Sequence, residues 1–217
     1  VPDGMSDVDA AALLVTYQTS YFALVHRTTL AAGEVLLVHG GAGGVGTSAI
    51  QLGKVLGATV IATVGSEAKA AIARAAGADA VIHHGEQDFV AEVTRLTAGR
   101  GADVIYDPVG GDVFDRSLRC LAFGGRLLVI GFASGRIPEI KANRVLLKNI
   151  SIIGLFWGAY QSHQPALIQA AHEALCALYA RGAIKPVIYR EYPLRDLPDA
   201  MAALESRASH GKIVVRP

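Results

Sequence analysis

The sequence predicts an α/β fold, with helices covering both faces of a parallel, doubly wound, six-stranded sheet. Short apolar segments rich in valine and isoleucine alternate with segments of helical spacing along most of the chain. Repeated strand–helix–strand units of this kind build a parallel sheet with right-handed crossovers. Hydrophobic residues make up 52% of the 217 residues, which is enough for a sizeable core.

The six strands are predicted from runs of apolar and β-branched residues, which are typical of buried parallel strands. They lie at residues 35–39, 59–64, 80–82, 104–106, 126–130 and 151–156. Helical spacing predicts helices at residues 9–26, 44–56, 66–76, 89–97, 112–121 and 165–181. Ser66 suits a helix N-cap, and Gly77 and Gly99 suit positions at which a helix ends.

The last segment of the chain lies outside this six-strand pattern. Residues 187–192 and 212–216 are predicted strands, and residues 195–207 between them are a predicted helix. Because the six strands already complete a doubly wound sheet, we expect these two strands to pair with a part of the protein beyond this chain.

Composition argues against several classes of partner. The formal charge of +1 and the lack of a basic run give no indication of a nucleic-acid partner. Cys120 and Cys176 match no zinc or redox spacing, so we expect buried thiols in a reducing cytoplasm. No segment has the pattern of a transmembrane span or a secretory signal. The chain begins at Val1 rather than methionine, and we expect it to be part of a longer protein.

A glycine-rich turn is the strongest functional signal in the sequence. The first predicted strand runs into Gly41, Gly43 and Gly46, and helical spacing begins at Gly44 and Val45. In this context Gly41 permits the tight turn, Gly43 lets a pyrophosphate approach the backbone, and Gly46 lets the helix lie close to the strand. The first amides of the helix then face an anion. The pattern predicts a dinucleotide site, with a glycine-rich turn that binds no ligand as the alternative.

The end of the second predicted strand carries residues that distinguish the two nicotinamide coenzymes. NAD-specific sites place an acidic residue about 20 residues beyond the glycines, and Ser66 stands there in this chain. The Ser66 hydroxyl can donate to a phosphate, and Lys69 adds a positive charge one helical turn later. These residues favour NADPH. Glu67 supports NADH as the alternative, because its carboxylate can bind a ribose hydroxyl, and Ser66 would then only cap a helix.

Ordered matches along nearly the whole chain resemble one protein family. They are Thr19 and Tyr21, Ala31 with Gly33 and Glu34, residues 40–46, residues 49–52, Gly77 with Ala78 and Asp79, Asp107 with Val109 and Gly110, Phe156 with Trp157 and Gly158, and Gly211 with Lys212. Through these residues the chain resembles the zinc-independent branch of the medium-chain dehydrogenase/reductase superfamily. Within that branch it is most similar to the quinone oxidoreductase group, which includes zeta-crystallin.

The resemblance implies a domain organisation and an activity. It implies that residues 1–217 form an NAD(P)-binding Rossmann domain with its core at about 15–182. Residues 183–217 would complete a GroES-like catalytic lobe that lies N-terminal to this chain. The implied activity is NADPH-dependent hydride transfer to a quinone or a similar conjugated carbonyl. The alternatives are an enoyl or 2-alkenal reductase of the same superfamily and a non-catalytic dinucleotide-binding module.

The resemblance also places coenzyme contacts at the ends of later strands. Val109 follows the fourth predicted strand, and Gly131 and Phe132 follow the fifth. The backbone of both turns would lie along the coenzyme. His84 stands where related reductases often place a tyrosine beside the 2′-phosphate.

Contacts at the nicotinamide end are implied in the same way. Phe156 and Trp157 would border the nicotinamide, although apolar residues at a strand end suit a core or a dimer interface equally well. Asn143 and Lys212 are further implied contacts. The long apolar segment 150–157 is an edge strand through which two chains would pair as a homodimer.

No pair of nucleophile and base stands out, so the catalytic residues are unknown at this stage. Tyr17 and Thr19 are candidates to face the nicotinamide or the substrate, and Tyr17 also suits a packed aromatic position. His39, next to the glycine turn, is expected to be a core histidine with satisfied hydrogen bonds. Zinc-dependent relatives place a cysteine four residues before the position of Thr19, where this chain has Val15. We therefore expect no catalytic zinc.

Overall fold

Six strands form one parallel sheet in the computed structural model, which describes residue 2 and residues 4–217. They are β1 (Val35–Val38), β2 (Thr59–Val64), β3 (Ala80–His83), β4 (Ala102–Asp107), β5 (Leu121–Val129) and β6 (Ser151–Gly154). Their order across the sheet is β3-β2-β1-β4-β5-β6, and each neighbouring pair is parallel. The predicted doubly wound sheet is confirmed, and its strand order reverses between β1 and β4.

Helices precede, connect and follow these strands. They are α1 (Asp7–Tyr21), which continues as a π-helix (Phe22–Arg27), α2 (Gly44–Val55), α3 (Glu67–Ala75), α4 (Phe89–Leu96), α5 (Gly111–Cys120), α6 (Ala142–Lys148), α7 (Tyr160–His163), α8 (Pro165–Ala180) and α9 (Leu197–Glu205). Short 3₁₀ turns cover Trp157–Ala159 and Leu194–Asp196.

The side chains of β1 show how both faces of the sheet are filled. Leu36 and Val38 lie in a cluster with residues of α1, α2 and α8. Val35 and Leu37 lie on the other face, in a cluster with residues of α4 and α5. A strand between two helical layers needs apolar residues at successive positions, and all four β1 side chains are buried.

The boundaries of α3 confirm the predicted helix signals. Ser66 is the N-cap, and its Oγ accepts a hydrogen bond from the Lys69 amide at 3.3 Å. The helix ends before Gly77, whose φ of 107° is unfavourable for a residue with a side chain. The N-cap fixes the position of Ser66 directly after β2.

The strand β5 begins at Leu121, not at residue 126, and the prediction of a helix to residue 121 is wrong by one residue. Leu121 pairs with Ala102 and Arg126 pairs with Val104, so the register shifts between them. Gly124 lies in the shifted segment with a φ of 72°. An irregular strand start of this kind does not show the alternation that identifies a strand in a sequence.

The C-terminal segment forms a separate two-stranded sheet, outside the six strands as predicted. Its strands, β7 (Ile188–Pro193) and β8 (Lys212–Arg216), pair in parallel with each other. The helix α9 connects them. Pairing of these strands with a further part of the protein stays a prediction.

The first helical segment, Asp7–Arg27, has the length and apolar composition that a membrane span requires. The sequence analysis predicted no segment of this kind and did not identify this one. More than half of this segment is buried within the chain, with Leu13, Tyr17 and Phe22 in the core. A core helix passes the same test of length and composition, so the finding is weak support for a membrane location.

Candidate dinucleotide site

The turn after β1 needs glycine at Gly40 and Gly41 for different reasons. Gly40 has a φ of 63°, which favours glycine, whereas Gly41 has no positive φ and is needed for lack of space. The Gly41 amide donates to the Thr63 carbonyl at 2.9 Å. A Cβ on Gly41 would lie 2.8 Å from the Cβ of Ala62, too close for any side chain. Gly41 therefore lets the turn lie against β2.

Gly43 and Gly46 keep the inside of this turn open. Gly43 is the N-cap of α2, and its amide donates to the Gly40 carbonyl at 2.9 Å. A Cβ on Gly43 would lie 3.3 Å from that carbonyl oxygen, and a Cβ on Gly46 would overlap it. The amides of Gly44, Val45 and Gly46 come first in the helix and have no acceptor one turn earlier within it. This cradle of free amides fits a pyrophosphate.

The predicted coenzyme residues gather at the carboxyl edge of the sheet, because every strand of the sheet is parallel. The glycine turn follows β1, Ser66 follows β2, His84 follows β3, Val109 follows β4, Gly131 and Phe132 follow β5, and Phe156 and Trp157 follow β6. Ligands of doubly wound sheets bind at this edge, near the reversal of strand order.

Ser66 and Lys69 lie together at the start of α3. Ser66 is exposed, and Lys69 Nζ donates to the carbonyl of Arg207 at 2.6 Å. The lysine ammonium is therefore held at the end of β2 by the C-terminal segment. An ammonium has three donors, so this bond leaves two for a phosphate.

Glu67, the competing residue, has other partners. Its carboxylate lies 2.6 Å from Arg74 Nη1 and 3.1 Å from His83 Nε2. The hydrogen bond from Arg74 lowers the pKa of Glu67. The carboxylate is thus directed toward two basic side chains of its own unit.

His84 lies beside the backbone that precedes Ser66. Its amide donates to the Val64 carbonyl at 3.1 Å, and a Cβ on Gly65 would lie 3.3 Å from His84 Nε2. The ring is exposed at the shared edge of β2 and β3. The structure thus brings His84 close to the predicted 2′-phosphate residues.

The turns after β4 and β5 support each other. The Asp107 carboxylate accepts hydrogen bonds from the amides of Val109 at 2.8 Å and Gly110 at 3.0 Å. Burial raises the pKa of Asp107. The Ala133 amide donates to the Pro108 carbonyl at 3.1 Å, which joins the two turns. Asp107 therefore holds the backbone of the turn at Val109 and Gly110, a role that the sequence prediction did not assign.

Phe132 lies over this pair of turns. A Cβ on Gly110 would lie 3.0 Å from Phe132 Cδ1, so the ring covers the start of α5. Gly131 lies beside Pro108, with 3.4 Å between the Pro108 carbonyl oxygen and a Cβ placed on Gly131. Both residues stand next to the turn that contains Val109.

Tyr17 is buried against α2. It is 2% exposed, and its hydroxyl donates to Gln51 Oε1 at 2.7 Å. Burial raises the pKa of Tyr17. Of the two alternatives that the sequence left open for Tyr17, the structure therefore favours the packed aromatic. Thr19 is half-buried on the same helix, and Val15 is exposed.

The residues predicted for the nicotinamide end differ in their surroundings. Phe156 is 79% exposed, whereas Trp157 is half-buried and its Nε1 donates to Gln18 Oε1 at 3.0 Å. Asn143 is exposed on α6. Lys212 lies at the glycine turn, because a Cβ on Gly44 would be 3.0 Å from Lys212 Cδ. The structure thus brings Lys212, but not Asn143, into contact with the glycine turn.

His39 is a satisfied core histidine, as predicted. Its Nδ1 lies 3.0 Å from Thr63 Oγ1, and its Nε2 lies 2.8 Å from Ser117 Oγ. Burial lowers the pKa of His39 to about 3, so the ring is neutral at physiological pH. The neutral ring links β1, β2 and α5 immediately before the glycine turn.

Comparison with known proteins agrees with this geometry. Residues 44–173 match the zinc-binding dehydrogenase family. Quinone oxidoreductase 1 of Escherichia coli is 35% identical over 100% of this chain and 67% of its own length. The chain belongs to the quinone oxidoreductase group of this family. The predicted family resemblance is confirmed.

Solved structures of the quinone oxidoreductase group share the fold. The structure of E. coli quinone oxidoreductase complexed with NADPH has a TM-score of 0.91 at 35% identity, over 100% of this chain and 67% of that one. A mycobacterial structure complexed with NADPH has a TM-score of 0.93 at 32% identity, over 100% and 68%.

Curated relatives are longer than this chain. The quinone oxidoreductase-like protein 2 homolog of Nematostella vectensis is 38% identical over 99% of this chain, which covers 59% of that relative. The chain therefore spans less than two thirds of this relative.

Among residue 2 and residues 4–217, no group of three or more His, Cys, Asp and Glu side chains is arranged to hold a metal ion. The described residues therefore do not supply a zinc site of their own.

The C-terminal segment makes a backbone contact with the glycine turn that the sequence prediction did not include. The Gly211 amide donates to the Ala42 carbonyl at 2.7 Å, and Gly43 and Gly211 form an isolated parallel bridge. The C-terminal segment thus touches the glycine turn directly. No local pattern could show this contact, because the two segments lie at opposite ends of the sequence; the Gly211 and Lys212 match gave the only signal.

Proposed function

We propose that this chain is the coenzyme-binding part of an NADPH-dependent quinone oxidoreductase. The observation that carries the proposal is the side-chain-free cradle formed by Gly43 and Gly46 at the first amides of α2. A Cβ at either position would occupy the space beside the Gly40 carbonyl. A pyrophosphate is the part of the coenzyme that this cradle suits.

The choice of NADPH over NADH rests on charge at the end of β2. Lys69 and the Ser66 hydroxyl offer donors to a 2′-phosphate, with His84 beside them. Glu67 is paired with Arg74 and His83, which reduces its value as a ribose ligand. Two similar solved structures, one of them a quinone oxidoreductase, are complexed with NADPH, which supports the same choice.

The protein contributes position and charge to the reaction. When bound, NADPH supplies the hydride that is transferred to the acceptor. The first amides of α2 hold the pyrophosphate, and the turns that contain Val109 and Gly131 lie along the coenzyme. Phe156 and Trp157 border the nicotinamide end, where Phe156 is free to cover a flat acceptor. Lys212 adds positive charge at the glycine turn.

The acceptor side belongs to a lobe outside this chain. In this proposal residues of about 15–182 form the coenzyme domain, and 183–217 complete a GroES-like lobe. The two-stranded sheet supports this division, because two strands alone are marginally stable. A cleft of about 740 Å³ between Val8 of α1 and Val214 of β8 offers room for additional chain. In this proposal the longer protein is the enzyme, and the isolated chain binds the coenzyme without catalysing the reaction.

An enoyl or related alkene reductase is the second candidate. CurK enoyl reductase has a TM-score of 0.87 at 29% identity, and a 2-haloacrylate reductase has a TM-score of 0.90 at 31% identity. Both names describe reduction of a carbon–carbon double bond. The acceptor therefore decides between the two candidates.

The proposal includes a homodimer and a reducing compartment. β6 is an edge strand of the sheet, and Leu146 and Leu147 of α6, shortly before it in the sequence, are each 75% exposed. Pairing of two chains at this edge would satisfy the unpaired backbone groups of β6. Cys120 and Cys176 are free thiols, which agrees with a cytoplasmic location. A monomeric mass in light scattering of the full-length protein would refute the dimer.

Coenzyme titration and an acceptor assay test the function. The chain should bind NADPH more tightly than NADH, and Lys69→Ala should weaken NADPH binding more than NADH binding. Arg95→Ala is the control, because it removes an exposed positive charge on α4 that pairs with Glu92, and it should leave NADPH binding unchanged. Equal losses for both coenzymes in Lys69→Ala would refute the NADPH assignment.

The acceptor assay uses the full-length protein with NADPH and either a quinone or a 2-alkenal. Faster oxidation with the quinone supports the proposal, and faster oxidation with the 2-alkenal supports the enoyl-type reductase. Tight NADPH binding without turnover on either acceptor would indicate a non-catalytic dinucleotide-binding module.

A further inference from the structure

The connection from α9 to β8, residues 206–211 and here called the strap, crosses the coenzyme edge of the sheet. Lys69 Nζ donates to the Arg207 carbonyl at 2.6 Å. At the other end of the strap, the Gly211 amide donates to the Ala42 carbonyl at 2.7 Å. The strap is therefore fixed both to the proposed 2′-phosphate site and to the glycine turn.

His210 lies between these two anchors. Its ring contacts the ring of Tyr189 in β7 edge to face, with 5.1 Å between the centroids and 85° between the planes. This contact and the anchor at Gly211 leave the imidazole little freedom to turn away. His210 is half-buried, so its ring can still interact electrostatically with a ligand at the edge of the sheet.

Basic side chains stand near His210. Burial, and then the charge of Lys69 on α3, lower the pKa of His210. The Arg190 guanidinium of β7 lies 5.7 Å from the centroid of the Tyr189 ring. Arg207 and Lys212 stand near it in sequence. In the coenzyme-free chain these surroundings favour the neutral imidazole.

We propose that His210 is a specificity-determining residue that takes up a proton from solvent when the 2′-phosphate of NADPH binds beside Lys69. The inference rests on the proposed NADPH site. The imidazolium then faces a phosphate of opposite charge, and NADPH is bound more tightly than by the neutral ring. NADH has no 2′-phosphate and causes no proton uptake.

The direction of the pH dependence follows from linkage. A phosphate dianion near Lys69 raises the pKa of His210 in the complex above its lowered value in the free chain. NADPH affinity is then highest below the free-chain pKa and is lost as pH rises through the pKa of the complex. One linked proton changes the dissociation constant by at most about tenfold per pH unit.

The test measures the dissociation constants of NADPH and NADH for three chains from about pH 6.5 to about pH 8. In this range the 2′-phosphate stays largely a dianion, because its second pKa is about 6. The chains are the parent, His210→Gln and His26→Gln. His26 is exposed and precedes β1, whereas the coenzyme edge lies after β1, so it is the control histidine.

We expect the NADPH constant of the parent to rise several-fold across this range. His26→Gln should keep the rise, His210→Gln should lose it, and the NADH constants should stay flat in all three chains. Calorimetry of the parent in buffers of different ionisation enthalpy should show net proton uptake with NADPH and none with NADH.

An equal NADPH slope in the parent and His210→Gln would overturn the role of His210 and leave the proposed function standing. Failure of the parent to bind either coenzyme would overturn both. If His210→Gln does not fold, the calorimetric result decides, because zero proton uptake by the parent overturns the inference.

Discussion

In the six-stranded sheet all four side chains of β1 are buried, whereas in the two-stranded sheet Tyr192 and Val214 are buried and the other side chains are half-buried or exposed. The first sheet has a helical layer on each face. The second has little of its own core. The proposed coenzyme site therefore rests on a self-contained unit, the six-stranded sheet with its helices, and is contacted through Gly211 by a unit with few buried side chains.

The largest effect is expected at Gly46, in the self-contained unit. A Cβ in Gly46→Ala would overlap the Gly40 carbonyl, so the turn must shift. We expect loss of NADPH binding and about 3 kcal/mol of stability. Titration with NADPH and urea unfolding measure the two effects.

Gly85→Ala is the control for this change, because a Cβ on Gly85 would meet no atom within 4 Å. It should leave both quantities unchanged. Normal NADPH binding by Gly46→Ala would show that the cradle does not need its open space.

Core truncation compares the two sheets directly. Leu36→Ala in β1 removes a fully buried side chain and should cost about 3 kcal/mol. Val214→Ala in β8 removes fewer carbons from a thin core and should cost about 1 kcal/mol. Urea unfolding of both variants measures the costs. Equal costs would mean that the two-stranded sheet is as well packed as the larger one.

The buried His39, directly after β1 of the six-stranded sheet, should make the free energy of unfolding depend on pH. Its pKa is lowered to about 3 in the folded chain, whereas an unfolded histidine titrates near about 6.5. Below that value the unfolded state binds a proton that the folded state does not, so stability falls as pH falls toward 3. Between about pH 7 and about pH 5 the loss should be about 2 kcal/mol.

Urea unfolding of the parent and of His39→Gln at the two pH values measures this loss. The buried Asp107 acts in the opposite direction, but it is present in both proteins and cancels in the difference. An equal pH dependence in both proteins would contradict the assignment of the loss to His39.

The smallest effect is expected for an exposed ion pair of the two-stranded sheet. Arg216 Nε lies 2.5 Å from Glu191 Oε2, with both side chains largely exposed. Arg216→Ala should therefore cost less than about 0.5 kcal/mol. Arg126→Ala in β5 should cost about 1 kcal/mol or more, because the half-buried Arg126 pairs with the Glu34 carboxylate and also donates to the Thr28 carbonyl at 3.0 Å. Thermal unfolding measures both, and the reverse order would contradict the comparison.

The larger sheet could be predicted because its signals are local. The apolar run of β1 reflects burial on both faces, and Ser66 caps α3 with its own hydroxyl. The start of β5 could not be predicted, because Gly124 has a positive φ where the register of the strand shifts, and the residues there lack a regular pattern. Helix α6 is only seven residues long and packs on the core through Val145, so it gave no repeated apolar pattern.

The candidate site was predictable where one segment makes it and not where distant segments meet. Gly43 and Gly46 act within one turn and could be identified from their spacing. The role of Tyr17 depends on Gln51 in another helix, and spacing does not show that contact. The strap contacts of Lys69 and Gly211 likewise join residues far apart in the sequence.

The bridge between Gly43 and Gly211 has a consequence for biosynthesis. Residue 211 is translated long after the glycine turn. Premature termination before residue 211 therefore leaves a chain that contains the glycine turn but lacks the backbone contact between Gly211 and Ala42.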